Sequence, residues 1–302
     1  YTSVMMGVYR GAAGGSSTCT WQRVNFSVGA VDNPPGEPEF YMQLAGNLSG
    51  GTAANQQWFA DFPVEDVRTA SNGDVTFSIW LHGSSAGTIA VQPIQLFGSG
   101  GSSAVYVTGQ EIDVTTTWTR YTLTFSIPSM NGKTIGTASS LRLRIYKQAG
   151  STIQAAVNLP NAINFTGNLN MWAAQLERGS IMTDFERRPI SLEQRLIERY
   201  FQMWTAITTE YLATGMCVTT QQAWFPIQLK TPLRSAPTMS INNLHVFDVS
   251  NNWTVVAMDA TLIGTDTVAI RLIIGTASFG VTRPAIIRMP SSGSFVKADA
   301  RL

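Results

Sequence analysis

Apolar and polar residues alternate with a period of two over long stretches of this chain. In DVTFSIWLHG, Val75, Phe77, Ile79 and Leu81 fall on one face and Thr76, Ser78, Trp80 and His82 on the other. That is the pattern of a half-buried strand. TIAVQPIQLF predicts the next strand, with Pro93 at a bulge or an edge. AVYVTGQEIDV follows, and then TTTWTRYTLTFSIP. There Trp118, Arg120, Thr122 and Thr124 alternate with Thr119, Tyr121, Leu123, Phe125 and Ile127. SSLRLRIYKQ places Leu141, Leu143 and Ile145 inside and Arg142, Arg144 and Tyr146 outside; NLNMWAAQLE closes the series. Trp21 and Phe26 suggest where the series starts. Gly/Ser/Asn turns separate the strands and no helical pattern intervenes. The prediction is an antiparallel β-sandwich, without parallel βαβ crossovers.

The pattern changes once. Leu192, Leu196, Ile197 and Tyr200 lie at helical spacing, with Ser191 as a cap, Gln194 completing a capping box and Pro189 just upstream. A helix of about three turns is marginal alone, so it is expected to pack on something. Beyond it AWFPIQLK, SAPTMSI, NLHVFDV, WTVVAMDAT, TVAIRLIIG and AIIRMP return to strands. The chain therefore divides into a leading linker over 1–15, a jelly-roll sandwich over 16–190, a helical joint over 191–202 and a second, smaller β-sandwich over 203–302. No convincing repeat relates the two halves.

Composition supports an all-β class. Hydrophobic residues make up 44% of the 302 and charged residues only 13%, about half the usual share. With 20 basic and 19 acidic residues the net charge is +1, which builds no field for nucleic acid. No apolar run reaches the ~18 residues of a membrane span. The chain starts at Tyr1 rather than Met, so it is expected to be part of a longer protein. Cys19 and Cys217 are too few and too far apart for a disulfide framework and are expected as free thiols.

Catalytic patterns are weak. The two histidines, His82 and His245, lie far apart, and the cysteines have no zinc-ligand spacing. Calcium could use Asp61, Glu65 and Asp66, although solvated loop acids explain them better. No serine sits in a GxSxG setting, and GSGGSS lacks the following helix and lysine of a phosphate loop. Neither catalysis nor a cofactor is expected. What remains is the polar, ring-bearing face opposite the core, comprising Trp80, His82, Arg142, Arg144, Tyr146 and Trp172. Aromatic rings offer sugars a flat apolar platform, and Arg and His offer hydrogen bonds to hydroxyls. The competing reading makes Trp80 and Trp172 peripheral core under loops.

WAAQLERGSIMTDFERRPISLEQRLIERYFQ is similar to a segment recurring in phage tail fibres and related virion proteins. There a jelly roll ends in an aQLE-x-G turn, continues through T-x-FE-x-RP and passes a short helix ending in RYF or RYY. The matching residues are Gln175, Leu176, Glu177, Gly179, Thr183, Phe185, Glu186, Arg188, Pro189, Glu193, Arg199, Tyr200 and Phe201. VTFSIWLHG and TTTWTRYTLTFSIP look like strands of carbohydrate-binding-module jelly rolls. PLRSAPTMS resembles a following MR-x-x-PT strand, and VKADARL a closing ADAEL. The resemblance spans about residues 16 to 302. It departs at Glu198, where the family often has Cys.

The resemblance implies a virion adhesion protein on the extracellular face of a phage tail or head fibre. Such a protein would bind a bacterial surface polysaccharide or lipopolysaccharide without catalysis, next to other virion proteins and as a homotrimer. The alternatives are a head-fibre, decoration or baseplate spacer and, further off, a polysaccharide-degrading enzyme. The family's sugar contacts do not transfer residue by residue, so the six face residues rest on strand phase.

Overall fold

The structure, a computed structural model, describes residues 7–11, 18–48, 55–249, 251–276 and 279–301. The chain forms two compact units, one up to Arg187 and the other Arg188–Arg301.

The first unit is an antiparallel jelly-roll β-sandwich. Its strands are β1 (Gly7–Gly11), β2 (Thr20–Asn25), β3 (Phe40–Ala45), β4 (Gln57–Glu65), β5 (Gly73–Gly83), β6 (Gly87–Leu96), β7 (Val105–Tyr106), β8 (Gln110–Val114), β9 (Thr119–Ile127), β10 (Ser140–Ala149), β11 (Ile163–Asn164) and β12 (Leu169–Arg178). One sheet runs β1-β4-β10-β6-β7, with β11 on β10 and β8 on β6; the other runs β2-β3-β12-β5-β9. Within the expected leading linker, Gly7–Gly11 is a strand paired with Gln57–Asp61; the remainder of 1–15 lies outside the described residues. Five backbone pairings with β4 override the flexibility that the neighbouring glycines suggest.

The core sits between the sheets. Trp58, Phe62, Ile89, Val91, Leu141, Leu143 and Ile145 come from one side, and Leu44, Val75, Phe77, Ile79, Leu81, Phe125, Leu169 and Met171 from the other. Each such burial contributes about 2 kcal/mol. Pro93 falls between the β8 pairing of Gly87–Val91 and the β7 pairing of Ile94–Gln95, where a missing donor costs least. Trp21, which suggests where the series starts, lies on β2 and is 59% exposed.

The outer face of the first sheet is sealed. Helix α1 (Ser151–Ala156) and the chain after it cover a small second core of Phe59, Ala90, Tyr146, Ala149, Val157, Leu159 and Ile163. On the inner side Lys147 is fully buried. Its ammonium donates to Gly46 O (2.8 Å), Asn47 Oδ1 (2.7 Å) and Phe165 O (3.2 Å) and lies 4.5 Å from the Trp58 ring centroid. Gly46 has φ +75, a conformation that suits glycine and turns its carbonyl to this cation.

The second unit is also antiparallel β. Its strands are β13 (Phe201–Thr205), β14 (Glu210–Cys217), β15 (Gln222–Gln228), β16 (Thr238–Asn242), β17 (His245–Phe247), β18 (Asn252–Ile263), β19 (Thr267–Ile274), β20 (Pro284–Met289) and β21 (Phe295–Asp299). Six of them close into a barrel, β14-β15-β19-β18-β17-β20, and β13-β21-β16 form a three-stranded sheet. The two layers share one core, in which Phe225, Ile270 and Ile287 meet Met239, Val296 and Ala298. Closure leaves the barrel without free edges, a property that alternation within single strands does not encode.

Helix α2 spans Ile190–Glu198, and the expected joint over 191–202 is correspondingly shorter. Phe201 and Gln202 belong to β13, which pairs with β21. The Ser191 cap does not form. The helix starts earlier, at N-cap Pro189, whose carbonyl accepts from Leu192 N (2.9 Å) and Glu193 N (3.2 Å). None of its residues is buried; Ile190, Leu192 and Ile197 stay exposed. Its C-terminal end is held by Gln202, which donates to Glu198 O and Thr231 O and accepts from Lys230 N.

Candidate functional site

The six residues expected on one face occupy two. Trp80, His82 and Trp172 lie on β5 and β12, in the second sheet, whereas Arg142, Arg144 and Tyr146 lie on β10, in the first. Strand phase reports inward or outward but not which sheet, and here it merged two opposite outer surfaces.

On the first sheet the arginines are already engaged. Asp61, buried, accepts from Arg144 Nε (2.6 Å), Arg144 Nη2 (2.8 Å) and Arg142 Nη1 (3.2 Å). The Arg144 guanidinium stacks 3.5 Å from the Phe59 ring centroid. Burial disfavours its charge, but hydrogen bonds and attraction to Asp61 raise its pKa on balance. Tyr146 is fully buried; burial, the largest influence, pushes its phenol up. Arg144 Nη1 donates to Tyr146 Oη (3.5 Å), and Tyr146 packs with Val157, Leu159 and Ile163 of the covering segment.

The second sheet presents rings. Strands β5 and β12 pair Trp80 with Trp172 and His82 with Asn170. A bulge between Trp172 and Gln175, with Ala173 at φ 52, resets the phase so that both residues face outward. Trp80 and Trp172 have ring centroids 6.5 Å apart. Trp118 packs 5.5 Å from His82 and 5.4 Å from Tyr41. Phe26 closes the group, 4.9 Å from Tyr41, 5.2 Å from Trp118 and 6.3 Å from Trp172. Phe26 is buried, while Tyr41, Trp80, His82, Trp118 and Trp172 are half-buried. Burial raises the pKa of Tyr41, keeping its phenol a neutral donor. Beside Phe26 an open depression of about 510 Å³ is lined by Asn25, Val28, Gly29, Glu37, Pro38 and Glu39.

A polar row crosses the same face. Gln22 Nε2 donates to Gln43 Oε1 (2.9 Å), Gln43 Nε2 to Asn170 Oδ1 (2.9 Å), and Asn170 Nδ2 lies 2.9 Å from His82 Nδ1. These four residues stand opposite one another on β2, β3, β12 and β5.

The chain after β12 straps the other end of the face. Arg120 donates to Thr183 O (2.6 Å) and Ser78 Oγ (3.0 Å). Gln175, nearly buried, accepts from Glu186 N (2.9 Å) and donates to Asp184 O (3.3 Å). Glu177 accepts from Thr183 N and Oγ1. Partial burial opposes its charge, but the bonds from Thr183 and Gln175 outweigh this and hold its carboxyl low. Phe185 packs 5.6 Å from Trp172, and the Arg187 guanidinium lies 5.5 Å from the same ring. The Thr183, Phe185 and Glu186 motif read in the sequence is thus the strap itself.

Sequence phase missed Tyr41, Phe26, Trp118, Phe185 and Arg187. Trp118 was legible, since it alternates with Arg120. Phe26, Phe185 and Arg187 lie outside strands, where alternation gives no signal.

Among the described residues no group of three or more His, Cys, Asp or Glu side chains could hold a metal ion. Asp61 is a strand residue between two arginines. Asp66 caps the 3-10 turn Val67–Ala70 and accepts from Arg68 N (2.9 Å) and Nη1 (2.8 Å). Slight burial opposes its charge, yet these bonds hold its carboxyl below the ordinary range. Cys19 and Cys217 form no disulfide, and among the described residues no helix is long and apolar enough to cross a membrane.

Solved structures to which the chain is similar include several carbohydrate-binding modules. A family 11 module from a cellulosomal cellulase of Clostridium thermocellum is 13% identical, covers 59% of this chain and 89% of its own, and has a TM-score of 0.35. A xylan-binding domain from Paenibacillus barcinonensis is 8% identical, covers 58% and 99%, and has a TM-score of 0.33. The enzymatically active domain of a bacteriophage CBA120 tailspike is 12% identical, covers 57% and 19%, and has a TM-score of 0.34. No family model matches the chain, and no curated protein does.

Proposed function

We propose that this protein is a non-catalytic adhesin that binds a bacterial surface glycan on the outer face of the second sheet. The observation that carries this is the ring platform of Trp80, Trp172, Trp118 and Tyr41, half-buried and flanked by His82 and Arg187. Sugar rings offer C–H faces to such platforms and hydroxyls to the donors at their edge. The resemblance of the 171–202 segment to phage tail fibres supports a place on a virion's extracellular face. The exposed Ile190, Leu192 and Ile197 of α2 support a homotrimer. Single-site binding is then weak and several copies act together.

The test is an array of bacterial surface polysaccharides probed with multivalently displayed protein, alongside Trp80→Ala and Trp172→Ala. Binding that both variants lose supports the reading, whereas binding that survives both contradicts it. A reducing-end assay on any polysaccharide bound is expected to stay silent. A stable monomer at micromolar concentration contradicts the trimer.

A second reading, a rigid virion spacer, is favoured by one observation. Phe26, Phe185 and Arg187 pack on the tryptophans, as peripheral core would. Failure to bind any glycan or bacterial cell favours it.

A further inference from the structure

The polar row across the second sheet has a direction, and that direction fixes the chemistry of His82. A side-chain amide offers an acceptor at its oxygen and donors at its nitrogen. Gln43 uses its oxygen toward Gln22 and its nitrogen toward Asn170. Asn170 therefore spends its oxygen on Gln43 and turns its nitrogen to His82 Nδ1, 2.9 Å away. With the row in this direction Asn170 Nδ2 donates, so Nδ1 accepts and the ring proton sits on Nε2; reversing all three amides together would keep every bond and move that proton to Nδ1, the alternative that the experiment below excludes. Asn170 is 6% exposed, and turning its amide over alone would set nitrogen against nitrogen at Gln43.

We propose that Gln43 and Asn170 are positioning residues that hold His82 as a neutral Nε2–H donor at the edge of the ring platform. Nε2 meets no partner among the described residues. Trp118, packed 5.5 Å away with its plane tilted by 35°, fixes the plane in which that N–H points. The complementary ligand group is a hydroxyl or ether oxygen of a neutral sugar lying against Trp80 and Trp172. A sugar ammonium group placed there presents only donors and is disfavoured against a hydroxyl or ether oxygen. This deepens the adhesion reading and rests on it for the ligand, although the tautomer itself does not.

The experiment has a part without ligand. Two-bond nitrogen–proton correlation spectra of the full chain, labelled at histidine, report which ring nitrogen of His82 carries the proton; His82→Gln assigns the signal, and the second histidine, His245, serves as internal reference. The expected result is Nε2–H alone in the native protein, and a mixture of tautomers in Asn170→Leu. A native Nδ1–H signal overturns the proposal, as does an Asn170→Leu spectrum identical to native. Should Asn170→Leu fail to fold, Gln43→Leu, one step further along the row, gives the same readout. The ligand part compares laminarin, a neutral glucan, with chitosan oligosaccharides, whose amines are protonated. Preference for laminarin, reduced about tenfold in Asn170→Leu, supports the ligand assignment, and preference for chitosan overturns it. Binding of neither probe, with Nε2–H still fixed, overturns the ligand assignment and leaves the positioning role standing.

Discussion

Trp80 and Trp172 face each other across neighbouring strands with ring centroids 6.5 Å apart, on the side of the sheet turned away from the core. Their inward neighbours on the same strands, Ile79, Leu81 and Met171, are buried. The fold therefore does not require two indoles here, and truncating them should cost less stability than a core truncation. We predict that Trp80→Ala lowers the unfolding free energy only modestly, by about 1 kcal/mol, against about 3 kcal/mol or more for Phe77→Ala. Urea titrations of the two variants check this; an equal loss makes Trp80 part of the core.

The Asp61 carboxylate between Arg142 and Arg144 serves the opposite sheet. Asp61→Ala leaves two largely buried guanidinium groups without a counter-charge, and the expected cost is about 3 kcal/mol. Tyr146 and the covering segment 151–163 should loosen at once, which hydrogen exchange reads directly. Unchanged protection over 151–163 contradicts the role assigned to this cluster.

Lys147 makes stability depend on pH in a definite sense. Burial lowers its pKa to about 8, against a smaller opposing influence from Cys19. An unfolded lysine keeps its proton to about 10.4. Between these values the unfolded chain binds more protons, so this residue's contribution to stability rises with pH across that window and is flat below it. The unfolding free energy of the native protein minus that of Lys147→Met should therefore rise from pH 7.5 to pH 9.5, by on the order of 1 kcal/mol or more. A native-minus-variant value that falls over the same interval contradicts this account.

How far the sequence carried the fold follows from where its signal resides. Val75 to Leu81 and Leu141 to Ile145 announce their strands by alternation, because each strand has one wet side. The assignment of β10 and β5 to different sheets depends on pairings between residues far apart in the chain, such as Arg144 with Asp61. No local pattern encodes these, and for that reason strand phase groups Arg142, Arg144 and Tyr146 with Trp80. The bulge at Ala173 was equally silent, although it alone lets Trp172 and Gln175 point the same way. The helix was visible in Leu192, Leu196 and Ile197, but its last predicted turn yields to the pairing of Phe201 with Asp299.

Gln175 ties the strap down with both ends of its amide, and it is nearly buried in doing so. Gln175→Ala strands the Glu186 N–H and the Asp184 carbonyl, at an expected cost of about 1–2 kcal/mol. The amides of 183–187 should then exchange faster while those of β5 keep their protection. If the strap amides keep their protection, other contacts hold it.

The central claim is that the rings on the second sheet meet a glycan, and competition between two units of the same chain tests it most directly. Multivalently displayed protein is titrated onto the polysaccharides of a bacterial surface array, with the double variant Trp80→Ala/Trp172→Ala and with Trp224→Ala, which changes an exposed tryptophan in the second unit. The account predicts that the double variant loses binding at least tenfold while Trp224→Ala binds as the native protein does. Binding kept by the double variant, or lost with Trp224→Ala, contradicts it.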